Sequence, residues 1–114
     1  MDRSEGTTAG GSRRLMELVI LARAESEILA TQAQLETVVA GLGDRFNQKV
    51  EEALDQLAIF PHSGAAYLKS FRRLLVQDFP YGIFYSVDGR RVIVQAVLDL
   101  RRDAPSIERE LRGV

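Results

Sequence analysis

The chain has 114 residues, of which 46% are hydrophobic, and a formal net charge of −1. This length closes one hydrophobic core and leaves too little chain for a second, and so small a net charge disfavours a protein held on nucleic acid by a global positive field. The chain has no cysteine, which excludes a disulfide framework, a thiolate metal site and a cysteine nucleophile. No apolar run reaches the roughly 20 residues of a membrane helix and no signal-peptide pattern is present, so we expect a cytoplasmic protein with no membrane partner.

The first 15 residues are predicted to be a disordered tail. Gly, Ser and Thr are frequent there and apolar residues show no periodicity. A start codon assigned too early would account for such a tail as well as a function would. The folded domain is therefore expected to span residues 16–114.

The first structured elements are predicted to be a strand and a helical hairpin. Met16–Leu21 is an apolar run of strand length, compatible with a strand covered on both faces. Two helices should follow, because apolar residues recur at spacings of three and four. Their predicted faces are Ala24, Ile28, Thr31, Leu35, Val38 and Leu42, and then Phe46, Val50, Ala53, Leu57 and Phe60.

The turn between these helices and the end of the second one have recognisable signals. Gly41 and Gly43 should stop the first helix, and Asp44 is the predicted N-cap of the second. The Phe60-Pro61 pair should end the second helix. A connection this short predicts an antiparallel helical hairpin.

Three strands and a short helix are predicted to complete the domain, after a polar loop at His62–Gly64. The strand candidates are Phe71–Gln77, Tyr81–Val87 and Arg91–Leu98. Asp88-Gly89 predicts a tight hairpin turn between the last two strands. Pro105 suits the first turn of a terminal helix that places Ile107 and Leu111 on one face. The predicted class is α+β, with helices packed on a small sheet.

Charge is divided unevenly along the chain. Residues 17–60 hold eight acidic and three basic side chains, whereas residues 61–102 hold seven basic and three acidic ones. This division suits a basic surface that faces a partner, and solvated charge on exposed strands explains it nearly as well.

Three runs of the sequence, taken in order, resemble the RelE/ParE toxin family. They are MELVILARAESEI from Met16, GLGDRFNQKVEEALDQLAIFPHSG from Gly41, and FRRLLVQDFPYGIFYSVDGRRVIVQAVLDLRRDAPSI from Phe71. The resemblance implies a RelE/ParE toxin-like fold of order β-α-α-β-β-β-α, with a helical hairpin packed on a small, mostly antiparallel sheet. It also implies a type II toxin that forms a hetero-oligomer with a partly acidic antitoxin, whose carboxylates would meet the arginines of the basic half.

Members of this family act on two different targets, and the resemblance leaves both open. In the RelE-like branch, ribosome-dependent cleavage of messenger RNA uses basic residues on the sheet and a Tyr or His near the C-terminus. Here Gln77 stands where that branch places an arginine, Glu108 falls near the place of the terminal tyrosine, and only Arg102, beside Arg101, matches the basic set. We therefore favour the ParE-like mechanism, the poisoning of DNA gyrase.

Two alternatives remain. A ribosome-dependent endoribonuclease could use Arg72 or Arg73 for charge and His62 or Tyr67 for proton transfer, although His62 is more simply a surface loop residue. An inert homologue that only binds its antitoxin is the other alternative. The catalytic residues are unknown, and the candidates for binding the target or the antitoxin are Arg72, Arg73, Tyr85, Arg101 and Arg102.

Some of these candidates also have simpler explanations. Sheet packing accounts for Tyr81 and Tyr85 at least as well as function does. Because alternate residues of a strand point to opposite faces, Arg72 and Arg73 should not share a site. No phosphate-binding loop, metal-spaced histidine cluster or nucleophile elbow is present, so we expect no metal and no cofactor.

Overall fold

The computed structural model describes residues 15–113, so the predicted tail, apart from Leu15, lies outside the described residues. The elements are β1 (Glu17–Ile20), α1 (Ala22–Val38), α2 (Leu42–Ile59), β2 (Ala65–Tyr67), β3 (Phe71–Leu75), β4 (Tyr81–Asp88), β5 (Arg91–Asp99) and α3 (Ala104–Leu111). This order confirms the α+β, RelE/ParE toxin-like arrangement and adds one strand, β2, to the predicted β-α-α-β-β-β-α. Three residues are too few to show strand periodicity, which is why the sequence did not predict β2.

The five strands form one mixed sheet in the order β1-β5-β4-β3-β2. β1 pairs with β5 in parallel, and the other neighbouring strands are antiparallel. β1 lies at an edge and is only half-buried, with Ile20 38% exposed, so the expectation of a strand covered on both faces is wrong. Its apolar composition reflects a single packed face and the pairing with β5.

The hairpin between β4 and β5 differs from the prediction by one residue. Asp88 is the last residue of β4 and pairs with Arg91, so the loop is Gly89-Arg90 instead of Asp88-Gly89. Gly89 has φ +61°, which fits a glycine at the first central position of a type II′ turn. Further along the hairpin, the register shifts between Phe84 and Tyr85, which leaves Gln95 as an extra residue on β5.

Helices cover both faces of the sheet. α1 and α2 cover one face, where the larger core cluster includes Phe46, Val50, Leu57, Ile83, Tyr85 and Val94. α3 covers part of the other face through a smaller cluster of Phe84, Ala96, Leu98, Ile107 and Leu111. The side of the sheet under α3 is called the α3 face below. Within residues 15–113, no helix is long and apolar enough to cross a membrane.

The predicted helix faces are correct near the sheet and wrong at the ends of the hairpin. Ala24 and Ile28 of α1 are buried, but Val38 is 68% exposed and Leu42 belongs to α2. α2 ends at Ile59, and Phe60 is 59% exposed. The apolar spacing in the sequence therefore extends beyond the residues that contact the sheet, which is why the last residues of the predicted faces are exposed or belong to another element.

A glutamate, and not Asp44, satisfies the start of α2. Gly41 is the N-cap, with φ +88°, and Asp44 lies in the first turn, so the predicted cap is wrong. The Glu36 carboxylate accepts hydrogen bonds from the Gly41 and Gly43 backbone N–H groups at 2.7 and 2.9 Å. A Cβ at residue 43 would lie 2.5 Å from the Gln32 backbone oxygen, so only glycine permits this close helix contact.

Side chains of α1 complete the free edge of β5. β1 pairs with β5 only as far as Val94, and beyond that point Arg23 Nε donates to the Gln95 backbone oxygen at 2.8 Å. Glu27 Oε1 accepts from the Val97 backbone N–H, also at 2.8 Å. Arg23 and Glu27 are four residues apart, so one face of the helix supplies both bonds.

The Glu36 cap gives a first prediction. Glu36→Ala removes the acceptor of two backbone N–H groups and should lower the free energy of unfolding by about 1 kcal/mol, as measured by urea denaturation. Gln34→Ala, at an exposed position two residues earlier on the same helix, is the matched control. Equal stability of the two variants would contradict the capping role.

Candidate functional site

The α3 face is covered only in part, and its open part lies over β2 and β3. Phe71 packs with the small cluster under α3, while Leu74 packs with the cluster under the hairpin. On the α3 face, the Arg73 guanidinium lies against the Tyr67 ring. Arg72 pairs in register with Tyr85, whose side chain packs under the helical hairpin on the opposite face. The structure thus confirms that Arg72 and Arg73 point to opposite faces.

A groove crosses this face beside the end of α3, and it is called the α3 groove. It has a volume of about 710 Å³ and is lined by Leu68, Lys69, Ser70, Phe71, Leu111 and Arg112. Most of its exposed lining is apolar, and Lys69 and Arg112 are the two cationic residues of that lining. The β2–β3 turn and the end of α3 therefore form the site together.

The turn that lines the groove has a strained backbone. Leu68 has φ +53°, a region that bulky side chains rarely adopt, and its side chain is 38% exposed. A leucine held in this conformation costs roughly 1–2 kcal/mol relative to an extended one. Such strain is a reason to seek a function for the surface that it creates.

Arg73 lies further along β3 on the same face, with an unsatisfied donor. Its guanidinium carbon lies 5.8 Å from the centre of the Tyr67 ring, and its Nε is buried without a hydrogen-bond partner among the described residues. A Cβ at residue 82 would lie 3.1 Å from Arg73 Cγ, so Gly82 leaves room for the stem of Arg73. Arg73 is thus a cation that has packing partners and lacks an acceptor for Nε.

Arg72 and Tyr85 hold a loop from the other face. The Gly64 N–H donates to the Tyr85 hydroxyl at 2.9 Å, and Arg72 Nη1 donates to the Gly64 carbonyl at 2.8 Å. Burial raises the pKa of Tyr85, although the hydrogen bond from Gly64 and the charge of Arg72 act against it. Tyr85 is 0% exposed, so in this conformation it contacts no other macromolecule.

Arg101 and Arg102 are adjacent in sequence and separate in structure. Arg101 is exposed and donates from Nε and Nη2 to Asp99 at 2.9 and 2.7 Å, a bidentate contact that lowers the pKa of Asp99 and raises that of Arg101. Arg102 donates to Ser106 Oγ at 2.7 Å and to Glu110 Oε1 at 3.0 Å. Arg101 therefore faces solvent, while Arg102 holds α3.

The sequence did not indicate Leu68, Lys69 or Arg112, because their role depends on the meeting of two distant segments. The positive φ of Leu68 has no signal in the sequence, since glycine or asparagine would be expected there. In residues 15–113, no group of three His, Asp or Glu side chains is placed to hold a metal ion.

The chain resembles a known protein family in sequence and a solved structure in fold. The family model described as the ParE toxin of the type II toxin–antitoxin system parDE matches residues 18–104. Among solved structures, the chain is similar to one from a chromosomal ParDE toxin–antitoxin system of P. aeruginosa, with a TM-score of 0.67 and 16% identity over 75% of this chain and 97% of that chain. At this identity the superposition shows a shared fold alone. No curated protein matches the chain by sequence.

The separation of the two arginines gives a second prediction. Arg102→Ala removes the bonds to Ser106 and Glu110 and should lower the free energy of unfolding by about 1–2 kcal/mol in urea denaturation. Arg101→Ala is the matched control and should leave stability unchanged, because its contact is on the surface. A larger loss for Arg101→Ala than for Arg102→Ala would show that these roles are assigned the wrong way round.

Proposed function

The chain belongs to the ParE toxin family of type II toxin–antitoxin systems, and from this premise we propose that it poisons DNA gyrase and is neutralised by a cognate antitoxin. The match over residues 18–104 is the observation that carries the proposal, because it includes most of the described domain. The action takes place in the cytoplasm, and the neutralised form is a hetero-oligomer with the antitoxin.

The environment of Arg101 and Arg102 supports a mechanism without RNA cleavage. A metal-free nuclease needs cations free to stabilise a phosphorane and a positioned acid–base pair. Arg101 is engaged by Asp99, and Arg102 is engaged by Ser106 and Glu110. Tyr85 is 0% exposed and its hydroxyl accepts from the Gly64 N–H, which leaves that hydroxyl badly placed for a large substrate.

The α3 groove is the surface proposed to bind the antitoxin. It combines an apolar floor for a large side chain with Lys69 and Arg112, and Arg73 lies further along the same face. Arg112 has a carboxylate contact with Glu108 at 3.8 Å, at the long end of an ion pair, and its side chain is 60% exposed. A partly acidic segment with a bulky apolar residue would fit both features.

Induced expression in a bacterium tests the target. Pulse labelling should show that DNA synthesis falls before protein synthesis, and purified chain should trap cleaved DNA in a reaction with gyrase and ATP. Early arrest of translation with cut messages would instead support the endoribonuclease. Unimpaired growth at full expression would support an inert antitoxin-binding homologue.

Charge reversal in the α3 groove tests the binding surface. Lys69→Glu with Arg112→Glu should raise the Kd for the cognate antitoxin about tenfold or more, because carboxylates would then face like charges. Isothermal calorimetry at fixed salt is the measurement, since attraction between exposed charges is screened.

The control for this pair keeps the same change in net charge. Arg45→Glu with Lys49→Glu reverses two cations of α2, on the other side of the sheet, and should leave the Kd within about twofold. If the two double variants weakened binding equally, the effect would come from net charge and the groove would not be the binding surface.

A further inference from the structure

The two edges of the sheet differ in how well they are protected from pairing with another chain. β2, at one edge, has only three residues, and a very short edge strand is a poor template for further pairing. β1, at the other edge, has the sequence Glu-Leu-Val-Ile, without a proline or a lysine. Its register with β5 is continuous over all four residues, so no bulge twists this edge away. β1 is therefore the less protected edge.

The backbone of β1 has hydrogen-bonding groups on its outer side. The Glu17 N–H donates to the Arg90 backbone oxygen at 2.8 Å, so Glu17 bonds towards β5. Because alternate residues of a parallel strand bond to the same neighbour, Leu18 and Ile20 direct their N–H and C=O groups away from β5. Among residues 15–113, no strand pairs with this side of β1.

The helices limit the free part of this edge to a short stretch. The Met16 N–H also points away from β5, and it donates to the Ala58 backbone oxygen at the end of α2, at 2.9 Å. Beyond β1, the chain enters α1 at Ala22. Of the residues of β1, Leu18 and Ile20 thus offer unpaired groups, two positions apart on one side of the strand.

This arrangement is complementary to itself. If two copies of β1 run antiparallel about a two-fold axis at Val19, Leu18 of each copy lies opposite Ile20 of the other, and the two residues exchange both N–H···O=C bonds. Four hydrogen bonds then satisfy the outward groups of both strands. A two-fold contact requires the same surface on both subunits, and two outward-facing residues on either side of a central one provide it.

The side chains that would meet across the axis are apolar. Leu18 and Ile20 lie on the face under the helical hairpin, because their partners in register are the core residues Val92 and Val94. Ile20 is 38% exposed in the single chain, and Leu18 of the second copy would cover it.

Charge does not oppose this pairing. Val19 would meet Val19 of the second copy on the α3 face, and Glu17, the charged residue of β1, would lie opposite Leu21. No two like charges of the strands would therefore face each other directly, a contact that would destabilise an antiparallel pair.

We propose that β1 pairs antiparallel with β1 of a second copy of this chain, so that two sheets become one continuous sheet about a two-fold axis at Val19. The free edge is short, so the contact belongs to the small, weak class, with a Kd of about 10 µM to 1 mM. The axis is perpendicular to the sheet and far from β2, so both α3 grooves stay open on the same side. The pairing does not rest on the proposed function.

Disulfide trapping in the full chain tests the axis, because the chain has no cysteine. Val19 and its copy would form a non-hydrogen-bonded pair with Cα atoms about 4.5 Å apart, a distance that a disulfide spans. Val19→Cys in an oxidising glutathione buffer should therefore give a covalent dimer on a non-reducing gel. Ile93→Cys is the matched control, because Ile93 is in register with Val19, is also half-buried, and lies one strand further from the axis.

Removal of an outward donor tests the hydrogen bonds. Ile20→Pro deletes an N–H that β5 does not use, and proline is tolerated at such an edge position. Ile20→Ala, the control, shortens the same side chain and keeps the N–H. In sedimentation equilibrium, the Kd of the Ile20→Pro dimer should be about tenfold higher or more than that of Ile20→Ala, because each dimer loses two of its four hydrogen bonds.

Three results would overturn the pairing. They are a wild type that is monomeric at about 1 mM, a Val19→Cys chain that cross-links no faster than Ile93→Cys, and equal dissociation constants for folded Ile20→Pro and Ile20→Ala. If Ile20→Pro does not fold, the cross-linking comparison decides alone.

Amide hydrogen exchange distinguishes the other occupant of this edge. Protection of Leu18 and Ile20 should rise with the concentration of the chain alone. Protection that appears only after the cognate antitoxin is added would assign the edge to the antitoxin and reject the second copy. None of these measurements involves gyrase or toxicity, so failure of the pairing and failure of the proposed function are distinguishable.

Discussion

The unpaired edge of β5 is the constraint on which much of this structure depends. Backbone N–H and C=O groups that are shielded from water need partners, and β1 ends before β5 does. A longer β1 would satisfy that edge, but only Leu21 separates the end of β1 at Ile20 from the start of α1 at Ala22. Side chains of α1 therefore take the place of strand residues, with Arg23 on the Gln95 oxygen and Glu27 on the Val97 N–H. This fixes α1 along the sheet and also protects the edge from pairing with another chain.

Arg23 and Glu27 together form a clamp on the edge of β5, and the two faces of the sheet are covered unequally on either side of it. On one face, two long helices bury the larger cluster, which includes Phe46 and Tyr81 in edge-to-face contact at 5.3 Å. On the other face, the single short helix α3 is held by the apolar side chains of Ile107 and Leu111 and by Arg23, which donates to the Glu110 backbone oxygen. The face under the helical hairpin thus contains most of the core. The α3 face contains the strained turn at Leu68, the α3 groove and Arg73, whose Nε has no hydrogen-bond partner among the described residues. In proteins, recognition commonly occurs on surfaces that a rigid scaffold presents in this way.

Charge along the chain gave an incomplete guide to this surface. The second half is basic, but Arg72 is bonded to the Gly64 carbonyl and Arg102 to α3, so two of the cations hold the fold together. Lys69 and Arg112 line the groove, and Arg112 lies outside the segment whose charge stood out. Family membership identifies the class of the protein. The positions of the cations that hold no part of the fold, such as Lys69 and Arg112, bear on which partner binds: gyrase, messenger RNA or antitoxin.

The sequence by itself determined the class of fold, the order of all elements except β2, and the helix residues that face the core near the sheet. These properties depend on local periodicity and turn chemistry, as the spacing of Phe46, Val50 and Leu57 and the Gly89 turn show. Only the tertiary structure decided that β1 is an edge strand, that Glu36 and not Asp44 satisfies the start of α2, and that Arg101 and Arg102 have different roles. It alone brought Glu27 to Val97 and Leu68 to Leu111. Such contacts join residues more than 40 positions apart, and no local pattern of residue types encodes which of the charged side chains will meet.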